Sequence, residues 1–140
     1  MSVRDREDAL TWLGYALGDL STATAGNRDP APARIVAFHA QQAVEKAIKA
    51  ALVLAGVEPG RTHDLEELRD ALPLDWRSKT YPPDLARLSR FAVNVRYPDS
   101  LEPVTPIAAA TAVRQAKAVV RTVREDFERR GLRTGGVRRR

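Results

Sequence analysis

The sequence predicts an all-α protein: an up-and-down antiparallel helical bundle of four main helices plus one short helix. Apolar residues recur at steps of three and four along several long segments, and no segment sustains the period-two alternation of a half-buried strand. Proline and glycine clusters cut the chain into helix-length pieces. A chain of 140 residues, 44% hydrophobic and 29% charged, has the composition of an ordinary globular protein with one core.

Taken in order, Leu10, Leu13, Leu17 and Leu20 share one face of a first helix from about Asp5 to Ala23. The segment from Gly26 to Pro32 breaks it. A second, Ala-rich helix runs from about Ala33 to Ala55, with Pro32 suited to its first position, where a missing N–H costs nothing. Gly56 and Pro59-Gly60 end it. A short third helix opens at Asp64, its N-cap, with Glu67 as the capping-box partner, and stops at Pro73. From Pro73 to Pro83 the sequence reads as a loop that packs Trp76 and Tyr81 back on the domain. Leu85, Leu88, Phe91, Ala92 and Val95 mark the fourth helix, which Tyr97-Pro98 terminates. Thr105-Pro106 supplies the cap and first position of a long fifth helix, apolar at Val113, Ala116, Val120, Val123 and Phe127.

The net charge of +5 is unevenly spread. Residues 129–140 hold six arginines and no acid, leaving 17 basic against 18 acidic groups in residues 1–128. The chain is therefore read as a helical domain over residues 1–130 and a flexible Arg-rich tail over residues 131–140. That tail is either a solubilising end or an arm that attracts phosphate backbones or an acidic partner. The absence of cysteine excludes disulfides and thiolate chemistry. Two histidines are too few for a zinc site unless carboxylates complete it, so no metal or cofactor is assigned. There is no P-loop, dinucleotide fingerprint, nucleophile elbow or HExxH motif. The charged N-terminus does not resemble a signal peptide, and no apolar run approaches the roughly 18 residues of a membrane span, so a cytoplasmic protein is expected.

The second helix carries the densest polar pattern. His39, Gln42, Lys46 and Lys49 fall within about an 80° sector, while Val36, Ala40, Ala43, Ala47 and Leu54 form an apolar, mostly small surface elsewhere on the cylinder. The stripe is either a solvated face with a Glu45–Lys49 pair or a set of donors for phosphate or a carboxylate-rich partner. The small surface would let another helix, including one from a second copy, approach closely. Arg114, Lys117, Arg121 and Arg124 form a second basic stripe on the fifth helix, again either a solvated face or a binding surface.

Three motifs occur together: Phe38-His-Ala-Gln-Gln-Ala-Val-Glu-Lys-Ala-Ile-Lys-Ala50, Thr62-His-Asp-Leu65 and Val95-Arg-Tyr-Pro-Asp99. In order and spacing they resemble the bacterial and archaeal HEPN family over about residues 6–128. The resemblance implies a four-helix core with an extra short helix, homodimerisation, and pairing with a minimal nucleotidyltransferase. The stripe residues His39, Gln42, Lys46 and Lys49, together with Arg96 and Tyr97, are read as the candidates for binding a nucleotide or partner.

Many HEPN proteins are metal-independent endoribonucleases whose signature is an Arg followed four to six residues later by His, late in the domain. No histidine follows Arg96 here. A formal match exists at Arg34 to His39, on the second helix, where five residues of helix set the side chains about 140° apart. No catalytic set is therefore assigned. The expected role is a dimeric, nucleotide-associated accessory protein. The alternative is a toxin-like endoribonuclease cleaving RNA with His39 and either Arg34 or Arg96. Without a ligand role, His39 is a helix-surface or dimer-seam histidine and His63 makes a local turn hydrogen bond.

Overall fold

The computed structural model describes residues 2–29, 31–81, 84–96 and 103–140, with backbone alone for 93–96. Helix α1 spans Val3–Arg28, α2 Ala33–Leu54, α3 Leu65–Asp70, α4 Arg77–Thr80, α5 Ala86–Arg96 and α6 Pro106–Arg129. No strand occurs among the described residues. The expected bundle of four long helices is present, with two short helices rather than one. Helix α2 is its axis, packed against α1, α5 and α6.

Ser2 caps α1 by accepting the Asp5 N–H at 3.0 Å. The helix passes through Gly26, where the sequence suggests a break. A glycine inside a helix costs only about 1 kcal/mol relative to alanine, and this one permits close packing: a Cβ at Gly26 would lie 3.0 Å from Val36 Cγ2 on α2. Pro32 sits at the N-cap of α2, one position earlier than expected. At the other end Gly56 adopts φ 77°, and the Val57 N–H returns to the Leu52 carbonyl at 2.9 Å, a glycine-dependent C-terminal stop.

Asp64 caps α3, accepting from the Glu66 and Glu67 N–H groups. The reciprocal half of the capping box is relayed. Thr62 Oγ1 accepts the Asp64 N–H at 3.0 Å and donates to Glu67 Oε2 at 3.2 Å. The segment expected as a loop contains α4, whose cap comes from far along the chain. The buried carboxylate of Asp126, on α6, accepts the Arg77 N–H at 3.1 Å and the Ser78 N–H at 2.9 Å. Trp76 packs inwards as expected, edge-on to Phe127 at 6.4 Å and beneath the Arg130 guanidinium. Tyr81 does not, and remains exposed.

Leu13, Ile48, Leu52, Leu88, Val119 and Phe127 are fully buried. Burial of such side chains is worth roughly 1.5–3 kcal/mol each. Ala40, Ala43 and Ala47 are fully buried within the chain. The small surface of α2 is thus filled by its own neighbouring helices, and a dimer would have to use another face.

Residues 131–140, which the composition reads as a flexible arm, lie along the bundle. Gly131 turns the chain at φ 79°, the Thr134 side chain is buried, and the Arg140 N–H donates to the Gly14 carbonyl on α1 at 2.9 Å.

Candidate functional site

The α1–α2 contact brings two residues of the α2 stripe onto one carboxylate of α1. His39 Nδ1 lies 2.9 Å from Asp19 Oδ1, and Lys46 Nζ donates to Asp19 Oδ2 at 2.6 Å. The three side chains are 33%, 14% and 27% exposed for His39, Asp19 and Lys46 respectively, so the carboxylate is sheltered while both partners reach solvent. Because a carboxylate accepts, Nδ1 is the donor in this contact, and in the neutral form of the ring Nε2 is then the acceptor. Asp19 thereby fixes both the tautomer and the orientation of the imidazole. The residue is absent from the sequence-derived site, although it is the sole charged residue between Asp8 and Arg28.

His39 stands at the edge of an open groove of about 460 Å³ between the C-terminal part of α1 and the start of α2. Ser21, Thr22, Ala25, Gly26 and Asp29 line it from the α1 side, and Ala31, Ile35, Val36 and His39 from the other. A groove of this size, with an apolar wall and few polar groups, suits a small organic ligand.

The remaining stripe residues belong to a second, tighter network. Glu45 accepts from His63 Nδ1 at 2.8 Å and Gln41 Nε2 at 3.3 Å through Oε1, and from Lys49 Nζ at 3.2 Å through Oε2. Gln42 Nε2 donates to Gln41 Oε1 at 2.6 Å. The Glu45 side chain is only 5% exposed, and the Lys49 ammonium also lies 5.7 Å from the Trp12 ring centroid. Such a buried carboxylate is tolerated because its acceptor sites are filled. The expected Glu45–Lys49 pair is present. His63, by contrast, bonds across 18 positions of sequence rather than within its own turn.

The stripe therefore divides. His39 and Lys46 converge on Asp19; Gln42 and Lys49 join the Glu45 network. Arg34 is exposed on the first turn of a regular α2, so no distorted entry turn brings it towards His39. Among the described contacts none links the two residues. Arg96 ends α5, and its side chain lies outside the described residues, as does the whole of Tyr97.

These features define a helical-bundle protein with a carboxylate-oriented histidine at the mouth of an interhelical groove. The chain belongs to the HEPN family: the HEPN domain model matches residues 9–126. The crystal structure of TT1696 from Thermus thermophilus is similar, with a TM-score of 0.71 at 28% identity, covering 84% of this chain and 97% of that one. No curated protein sequence matches the chain significantly. No helix among the described residues is long and apolar enough to cross a membrane.

Proposed function

We propose that this HEPN protein is a nucleotide-associated accessory protein that acts as a homodimer with a small nucleotidyltransferase. His39, held by Asp19 and standing at the edge of the α1–α2 groove, carries the reading. The apolar wall at Ile35 and Val36 is suited to a base, while the His39 ring and the Ser21 and Thr22 hydroxyls can hydrogen-bond to polar groups of a ligand. Isothermal titration with adenosine 5′-monophosphate tests it. Saturable binding is expected for the wild type, and His39→Ala should weaken it about tenfold, the cost of one hydrogen bond to a charged or polarised group. Binding by His39→Ala equal to wild type would remove the groove from the proposal.

One observation favours metal-independent RNA cleavage as the second reading, namely the Asp19-oriented ring. A neutral His39 Nε2 can take the proton of a ribose 2′-OH. The 2′ oxygen then attacks phosphorus, the P–O5′ bond breaks, the leaving O5′ takes a proton from solvent water, and a 2′,3′-cyclic phosphate forms. This reading needs a cation beside the phosphate, and Arg34 does not stand there within one chain. RNA cleavage in EDTA by wild type but not by His39→Ala would establish it over a purely accessory role.

A further inference from the structure

The groove has an electrostatic gap. Among the described residues that line it, Asp29 is the one formally charged side chain, and the His39 ring is already engaged by Asp19. A phosphate-bearing ligand would need a cation from outside that lining. The terminal segment brings one to the rim.

Three anchors seat residues 131–140. Thr134, with its side chain wholly buried, accepts from Arg124 Nε at 3.1 Å and donates to Glu128 Oε1 at 3.2 Å. The Val137 N–H closes a turn on the Thr134 carbonyl at 3.1 Å. Further on, the backbone lies directly on α1, where two glycines one turn apart leave room for it. A Cβ at Gly14 would stand 2.8 Å from the Arg138 carbonyl oxygen, and one at Gly18 would overlap an Arg140 oxygen outright. Seated there, Arg139 Nη1 donates to Ser21 Oγ at 2.9 Å. Ser21 lines the same groove as His39. A guanidinium has five N–H donors, so this single contact positions Arg139 without exhausting it.

We infer that the 131–140 segment is part of the binding site, with Arg139 as the cation that receives the phosphate of a nucleoside phosphate held in the α1–α2 groove. The base lies on the Ile35 and Val36 wall, and the Asp29 carboxylate, at the other pole, accepts from sugar hydroxyls or an exocyclic amine. Arg139 supplies charge-assisted, forked hydrogen bonds that a lysine reproduces only in part. Gly14 and Gly18 serve the site indirectly, by seating the strap. This inference rests on the groove reading above and adds a residue to it.

The test compares adenosine 5′-monophosphate with adenosine by isothermal titration of the full chain. Arg139→Ala should weaken monophosphate binding by about 10- to 100-fold and leave the affinity for adenosine within about twofold. Arg139→Lys should fall between Ala and wild type. Gly18→Val, which displaces the strap by colliding with the Arg140 backbone and substitutes no arginine, should reproduce the phosphate-specific loss. Arg139 is exposed, so its variants should remain folded, as circular dichroism will verify. If His39→Ala loses binding while Arg139→Ala and Gly18→Val bind the monophosphate like wild type, the groove stands and the strap inference is overturned. An equal loss for adenosine and its monophosphate would also overturn it, since the strap would then act only through structure. No saturable binding of the monophosphate to wild type would overturn both.

Discussion

At the scale of single residues, Asp19 organises the candidate site. Its two oxygens hold His39 and Lys46, which come from positions two turns apart on α2. Removing it leaves two donors without their acceptor, but both are partly exposed and water can replace the lost partner. Asp19→Ala is therefore expected to cost only about 1 kcal/mol of stability, measured by urea denaturation, while altering the His39 environment sharply. A tautomer readout by ¹⁵N imidazole NMR should show Nδ1-protonated His39 in the wild type and a tautomer mixture in Asp19→Ala. An unchanged spectrum would mean that another group orients the ring. The stripe of His39, Gln42, Lys46 and Lys49 is legible from helical spacing. Asp19 is harder to see, because periodicity follows apolar positions and gives a polar residue on the same helix no partner. Its isolation in a long uncharged stretch is the one local signal.

At the scale of elements, caps and periodicity make the four long helices legible. Leu13, Leu88, Val113 and Phe127 all turn inwards as their spacing predicts. Helix α4 is not legible, since its four residues contain no capping signal and its cap, Asp126, lies 48 or 49 positions away. Asp126→Ala should cost roughly 2–3 kcal/mol, combining a lost cap with newly unsatisfied backbone donors. Hydrogen exchange at Arg77 and Ser78 should then accelerate towards that of open loops. Protection equal to wild type would show that α4 stands without this cap. On α5, Phe91 is 7% exposed, and Phe91→Ala should destabilise by roughly 3–5 kcal/mol in denaturant titrations. A loss below about 1 kcal/mol would contradict the inward orientation of that helix.

At the scale of the whole molecule, composition is the weaker guide. Glycine and arginine in residues 131–140 suggest a free arm, yet the seat for that segment is made by glycines far away on α1, at positions 14 and 18. Long-range steric fit of this kind leaves no local trace. The alanines of α2 are another case: their small size is legible, but whether they meet a neighbouring helix of the same chain or of a second copy is decided by the packing, and here the chain fills them itself. A homodimer is still expected, through an outer face, with a two-fold axis that pairs equivalent surfaces. Multi-angle light scattering at micromolar concentration should give about twice the 15.5 kDa chain mass. A mass equal to one chain at every concentration would remove the dimer from the proposed function.

The groove between α1 and α2, with His39 at its edge, is where this HEPN protein is proposed to meet its ligand. An amide chemical-shift map of the ¹⁵N-labelled chain, titrated with adenosine 5′-monophosphate, would locate the ligand. Saturable shifts concentrated at Ser21, Thr22, Gly26, Ile35, Val36 and His39 are expected, with Arg139 following at the rim. Shifts confined to another surface, such as Arg77, Tyr81 and Arg121 around α4 and α6, or no saturable shift at all, would contradict this placement of the ligand.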